Sequence, residues 1–196
     1  MTFNICSLNI RGVTNEAKIE DIFTSACDIL CLQEVRWTPE LFERTRRRWG
    51  GPAFHAAGPG RTAGVAVFVR QGVFDSVALV KTDPEGREIV LDIAWGDRTM
   101  RVFNIYASND PGERKLFFRS LRPLIHDSSL LIGDFNTVLS RLDISRNNVH
   151  NCDVSRNELY SLMLDLNLVD VWRFGLKLKL KLKLKLKLKL KANAKS

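Results

Sequence analysis

Short runs of alternating apolar and polar residues, punctuated by Gly, Pro, Asn and Asp, fill most of this chain and predict strands interleaved with a few helices. A strand over 3–8 is followed by a helix near 14–25, where Thr14 can cap and Ala17, Ile19, Ile22, Phe23 and Ala26 mark one apolar side. A strand over 28–32 comes next. Thr38 as N-cap, Pro39 at the first helical position and Glu40 in the first turn then announce a helix. Strands over 63–70, 73–81, 88–95 and 99–106 are joined by turn material such as Asp83-Pro84-Glu85-Gly86 and Gly96-Asp97. A helix near 112–123 precedes a strand over 129–132, and Ser155 with Glu158 forms the capping box of a last helix reaching about Leu166.

The runs Ile29-Leu30-Cys31-Leu32 and Val65-Ala66-Val67-Phe68-Val69 are apolar on both alternating faces, so these strands need cover on both sides. Helices on one face and another layer on the other supply it, which makes the fold α/β. Four apolar runs end in polar residues: Phe3 to Leu8 in Asn9, Ile29 to Leu32 in Gln33-Glu34, Arg101 to Ile105 in Tyr106, and Leu130 to Ile132 in Gly133-Asp134-Phe135-Asn136. Where such strands run parallel in a sheet, their C-terminal ends open onto one crevice. Asn9, Glu34, Tyr106, Asp134 and Asn136 can therefore meet.

From Leu176 to Lys191 the chain is an unbroken series of eight Leu-Lys pairs. In a helix alternate residues lie about 200° apart, so only a strand gathers these leucines on one face. Yet sixteen residues exceed the usual strand of ~3–10, and the monotony points to a translated simple repeat. The repeat changes the reading of charge. The formal balance is +8, but residues 176–196 hold nine lysines and no acid, leaving −1 for residues 1–175. A basic sequence suggests a polyanion partner; here the excess lies in the tail. Two parts follow: a domain over 1–175 and a low-complexity basic tail over 176–196.

Cys6, Cys27, Cys31 and Cys152 lack CxxC and zinc spacing and are expected to be buried, reduced thiols. The N-terminus shows no basic start followed by a long apolar stretch, and no run reaches membrane-spanning length. An intracellular, reducing location without membrane contact is expected.

Each candidate also has an ordinary explanation. Glu34 can be an acidic lead into the Thr38 helix, Gly133-Asp134 and Asn9 turn residues, and Tyr106 a strand former. His126 and His150 lie in polar loops, and Arg44, Arg46, Arg47 and Arg48 suit a solvated helix face. As chemistry, Glu34 offers a ligand for a hard cation such as Mg²⁺. Asp134 can orient or deprotonate a water, and Asn136 can donate to a phosphate oxygen.

Five ordered motifs tilt the balance: Ser7-Leu8-Asn9-Ile10-Arg11-Gly12, Leu30-Cys31-Leu32-Gln33-Glu34, Gly64-Val65-Ala66-Val67-Phe68, Val102-Phe103-Asn104-Ile105-Tyr106-Ala107 and Leu131-Ile132-Gly133-Asp134-Phe135-Asn136. Together they resemble the endonuclease/exonuclease/phosphatase family. Asp83-Pro84-Glu85-Gly86-Arg87 and Leu168-Val169-Asp170-Val171-Trp172-Arg173 look most like its LINE-type (non-LTR) retrotransposon endonuclease branch. The resemblance implies a four-layer α/β/β/α sandwich with two mixed sheets and hydrolysis of a DNA phosphodiester with Mg²⁺ (or Mn²⁺). It makes Glu34 the metal ligand and Asn9 a shaper of the metal and phosphate site. Tyr106 contacts the scissile phosphate, Asp134 handles the attacking water or leaving group, and Asn136 binds the phosphate. A nuclear location follows if the chain is retrotransposon-derived.

Relatives continue past the Val171-Trp172-Arg173 stretch through further strands to a Ser-Asp-His motif whose histidine is essential, and no residue here matches that histidine. The expectation is a sandwich with its second half incomplete and a site that is inactive or crippled. Rival expectations are an abasic-site repair nuclease or phosphatase of the same family, and a non-enzymatic product that binds polyanions through its tail.

Overall fold

Side-chain alternation along eight strands sorts the core into three apolar layers that separate two sheets and two pairs of helices. The computed structural model describes residues 2–61, 63–140, 143, 152–171 and 173. The expectations for His150, Trp172 and the Leu-Lys repeat fall outside them.

The first sheet has the order β1-β2-β4-β3. β1 (Ile5–Asn9) runs parallel to β2 (Ile29–Gln33), and β4 (Gly64–Val69) is antiparallel to both β2 and β3 (Ala53–Ala57). In the second sheet β5 (Ser76–Thr82), β6 (Glu88–Trp95) and β7 (Arg98–Tyr106) form an antiparallel meander, and β8 (Ser129–Asp134) adds parallel to β7. Ile29, Cys31, Val65, Val67, Ile89, Leu91 and Val102 fill the space between the sheets. On the outer face of the first sheet, Leu30, Leu32, Ala66 and Phe68 meet α1 (Glu16–Phe23) and α2 (Pro39–Trp49). On the other side, Val90, Phe103 and Ile105 meet α3 (Pro111–Leu121) and α4 (Val154–Asp165). This is the four-layer α/β/β/α sandwich, and every residue of β2 and β4 is buried, as their two-faced apolar runs require.

Local signals explain most boundaries. Thr38 Oγ1 accepts from the Leu41 amide ahead of Pro39, and Gly50 closes α2 in the left-handed conformation. Two caps differ from expectation. Asn15, not Thr14, caps α1, accepting from the Lys18 amide. Asp153 caps α4, accepting from the Ser155 amide, while Glu158 pairs outward with Arg119 and Arg122 instead of closing a capping box.

The cysteines also correct the sequence reading. Cys6 is disulfide-bonded to Cys27, Cys31 is a buried thiol and Cys152 an exposed one. The parallel register that sets Ile5 beside Ile29 brings the first two together on the helix-facing side of the sheet, 5.9 Å apart at Cα. Among the described residues no helix is long and apolar enough to cross a membrane.

Candidate active site

All five residues singled out by the strand-end pattern lie at one end of the sandwich, contributed by two sheets rather than one. Asn9 and Glu34 follow from the parallel pair β1 and β2, and Tyr106, Asp134 and Asn136 from the parallel pair β7 and β8. Asn9 joins the halves. Its Nδ2 donates to Glu34 Oε1 at 2.8 Å and to Asp134 Oδ2 at 2.9 Å, while its Oδ1 accepts from the Arg11 amide. One carboxamide thus bridges two carboxylates from different sheets.

Backbone conformation aims these groups. Glu34 and Asn136 have φ of 52° and 46°, and Arg11 and Arg36 beside them are also positive. Such φ values are costly for residues with a Cβ and tend to persist where function over-determines them. Gly133 just before Asp134 is required sterically: a Cβ there would lie 2.1 Å from the Ile105 carbonyl oxygen. The turn after it is held by the Asn136 amide, which donates to Asp134 Oδ1 at 3.0 Å. Asn136 Nδ2 donates to the Ala107 carbonyl at 2.8 Å, tying the loop after β8 to the loop after β7.

Two arginines border the site, Arg36 at Glu34 and Arg87 at Tyr106. Glu34, 17% exposed at its side chain, accepts at Oε2 from Arg36 at 2.7 Å. Tyr106 is nearly buried, and its hydroxyl is pushed above the ordinary phenol range by burial and then by the facing Glu34 carboxylate. It therefore stays protonated and serves as a donor. The Arg87 guanidinium stands over its ring, 5.5 Å from the centroid. Neither Arg36 nor Arg87 was singled out from sequence, although Arg36 sits two residues past Glu34 and Arg87 ends the Asp83–Arg87 turn.

Next to Asp134 and Asn136 opens a cavity of about 640 Å³ whose walls include Asn109, Arg114, Cys152 and Arg156. Its lining includes a largely buried ion pair between Arg114 and Asp153. Asp153 accepts from Arg114 at 2.8 Å, from Thr137 at 2.5 Å and from the Ser155 hydroxyl at 2.6 Å, and it titrates far below the usual carboxylate range despite its burial. Arg114 also donates to the carbonyls of Ser108 and Asn109.

No described histidine joins the site. His55 is packed between Trp37 and Phe42 and burial lowers it to about 4, and His126 lies in the loop ahead of β8, at the opposite end of that strand from Asp134. The donor set suits a hard cation. Among the described residues no cluster of three His, Cys, Asp or Glu side chains forms a closed metal cage. Two carboxylates with a carboxamide between them match an ion that keeps several waters, as Mg²⁺ does.

The profile of the endonuclease/exonuclease/phosphatase family matches residues 1–162. Among solved structures, an AP endonuclease from Archaeoglobus fulgidus superposes with a TM-score of 0.63 at 22% identity, over 84% of this chain and 71% of that one. The 3′ phosphatase NExo from Neisseria, bound to product DNA hairpin, gives 0.63 at 20% identity over the same shares. The AP endonuclease LMAP from Leishmania major gives 0.67 at 14% identity, over 84% of this chain and 67% of that one. These likenesses establish a shared fold.

Proposed function

This chain belongs to the endonuclease/exonuclease/phosphatase family, and on that premise we propose that it carries the metal- and phosphate-binding half of a site that hydrolyses DNA phosphodiesters. The observation that supports this most is Asn9 bridging Glu34 and Asp134, because it sets two carboxylates from separate sheets around one small space. Glu34 would hold Mg²⁺ or Mn²⁺, with Asn9 fixing its orientation. A cation there supplies Lewis-acid polarisation of the phosphoryl oxygen and a clamp on developing charge.

The chain's own residues would do the rest. Asp134 accepts a proton from the attacking water, its carboxylate held by Asn9 and the Asn136 amide. Tyr106 donates its hydroxyl to a non-bridging phosphate oxygen. Asn136 contributes the amide hydrogen not used on Ala107. Arg36, freed from Glu34 when a cation binds there, and Arg87 offer positive charge to flanking phosphates.

DNA as substrate is supported by the structural neighbours, whose names describe DNA-processing enzymes. The Asp83–Arg87 and Leu168–Arg173 segments favour a retrotransposon-type endonuclease. A second reading, abasic-site cleavage or 3′-phosphate removal, follows from those neighbours' names. A nicked product from intact supercoiled DNA separates the first reading from the second.

The sequence contains no Ser-Asp-His motif. The 196-residue chain assayed by itself with Mg²⁺ is therefore expected to show no measurable nicking, since one missing acid-base group typically costs ~10²–10⁴-fold. Adding a separately expressed segment of a family member that carries that motif should restore nicking, and Glu34→Gln should abolish the restored activity. Nicking by the chain alone that disappears in Glu34→Gln would show that another residue replaces the missing histidine. Restored nicking indifferent to Glu34 would refute the assignment of the site.

A further inference from the structure

Among the described residues, the layer between the sheets is built mainly of apolar side chains, with a buried pair of carboxamides at one place. Gln33 and Asn104, 1% and 0% exposed, both point into it: Gln33 follows Ile29 and Cys31 on the inward face of β2, and Asn104 lies between inward-facing Val102 and Tyr106 on β7. Their amides meet across the gap. Gln33 Nε2 donates to Asn104 Oδ1 at 2.7 Å. Asn104 Nδ2 spends its two hydrogens on backbone carbonyls of the opposite sheet, Leu32 at 3.0 Å and Ala66 at 2.9 Å. Gln33 Nε2 also lies 3.1 Å from the Ser7 hydroxyl and 3.2 Å from the Cys31 carbonyl. One asparagine is thus bonded to two strands and one side chain of the facing sheet.

Position along the strands gives this contact its consequence. Gln33 immediately precedes Glu34, and Asn104 is two residues before Tyr106. Apolar faces slide over one another with little change in energy, because burial is non-directional. Directional bonds lack that tolerance: a shift of one ångström breaks three of them in a buried setting where an unpaired amide is costly.

We propose that Gln33 and Asn104 are positioning residues. They form a polar rivet that fixes the register of the two sheets, so that Glu34 and Asn9 of one meet Tyr106 and Asp134 of the other. Neither touches substrate or metal, and their effect passes through the strand ends. The inference deepens the proposed function and rests on it only where metal affinity is measured.

Two measurements test the rivet without any metal. In the wild-type protein, the Asn104 side-chain amide protons should exchange with D₂O only through global unfolding, at the rate of the slowest backbone amides of β7. Exchange through local opening would overturn the proposal. In the double variant Gln33→Leu/Asn104→Leu, replacing the whole polar pair with apolar residues of similar volume should move Tm by no more than about 4 °C. The Asn9 side-chain amide signal in the ¹H–¹⁵N spectrum, identified by its loss in Asn9→Asp, should nevertheless shift to the solvated position, because its two carboxylate acceptors no longer stand together. An unshifted Asn9 signal in the folded double variant would overturn the proposal.

Val67→Ala, a cavity in the same layer that leaves the rivet whole, should lower Tm while keeping the Asn9 signal in place. Mn²⁺ affinity should fall about tenfold in the double variant. A wild-type protein that binds no Mn²⁺ would count against the proposed function, while the exchange and Asn9 measurements still decide the rivet.

Discussion

Among the described residues five non-glycines have positive φ, and four of them, Arg11, Glu34, Arg36 and Asn136, lie in the turns that carry the candidate site. Each such conformation costs roughly 1–3 kcal/mol, so the sequence holds strain at the candidate site and offsets it in the buried strands behind. The residue identities were legible because a polar side chain at the end of an apolar run is easy to see. Their conformations were not, since nothing in Gln33-Glu34-Val35 distinguishes a left-handed glutamate from an extended one. Nor was the role of Gln33 visible, because its partner Asn104 lies 71 residues away.

His55 gives a residue-scale prediction. Burial depresses its folded pKa to about 4, below the ordinary 6.5 of an exposed histidine. The fold therefore prefers the neutral ring. Its contribution is complete above pH 6.5 and is lost progressively as the pH falls toward about 4. The loss should reach about 3 kcal/mol, at 1.36 kcal/mol per pKa unit. Denaturant unfolding at pH 7 and pH 4 should show it, and His55→Phe, which keeps a ring beside Trp37 and Phe42, should remove most of this pH dependence. An unchanged slope in the variant would reject the assignment.

At the scale of elements, periodicity and turn chemistry located seven of the eight strands and all four α-helices among the described residues. β3 was missed for a physical reason: Ala53-Phe54-His55-Ala56-Ala57 is rich in alanine, which strands disfavour, and its pairing with β4 decides the matter. The caps at Asn15 and Asp153 were displaced by one and two residues because each has another cap-competent residue close by. Strand pairing was the larger gap. Residue pattern alone asks for helices on one face of the apolar strands and an unspecified layer on the other, and only the family resemblance pointed to two sheets. The same missing knowledge concealed the Cys6–Cys27 bond, whose partners lie 21 residues apart in sequence, Cys6 on β1 and Cys27 two residues ahead of β2, the strand that pairs with it.

A loop of that size constrains the unfolded chain by about 3 kcal/mol. Reducing the bond should lower Tm by roughly 10 °C. Cys6→Ser/Cys27→Ser should melt at the lower temperature with or without reductant. Equal melting temperatures for the oxidised and reduced wild type would show that the bond contributes nothing.

For the whole molecule, charge is divided between residues 1–175, of net −1, and residues 176–196, which carry nine lysines. Affinity for duplex DNA should reside mostly in the tail. If its eight repeat lysines all engage phosphates, the log-log slope of affinity against salt is about −7. Removing residues 176–196 should abolish most binding, and tight, salt-insensitive binding by residues 1–175 would contradict this division. Tail binding is indifferent to the site, so retention on DNA is no evidence of catalysis.

The central claim concerns the space between Glu34 and Asp134, and a Mn²⁺ titration followed by electron paramagnetic resonance reads it most directly. The wild-type chain should bind one ion. Glu34→Gln keeps the shape and an acceptor for Asn9, and should weaken binding at least about tenfold with little change in Tm. Asp134→Asn should weaken it less. No binding by the wild type, or equal affinity in Glu34→Gln, would contradict the account.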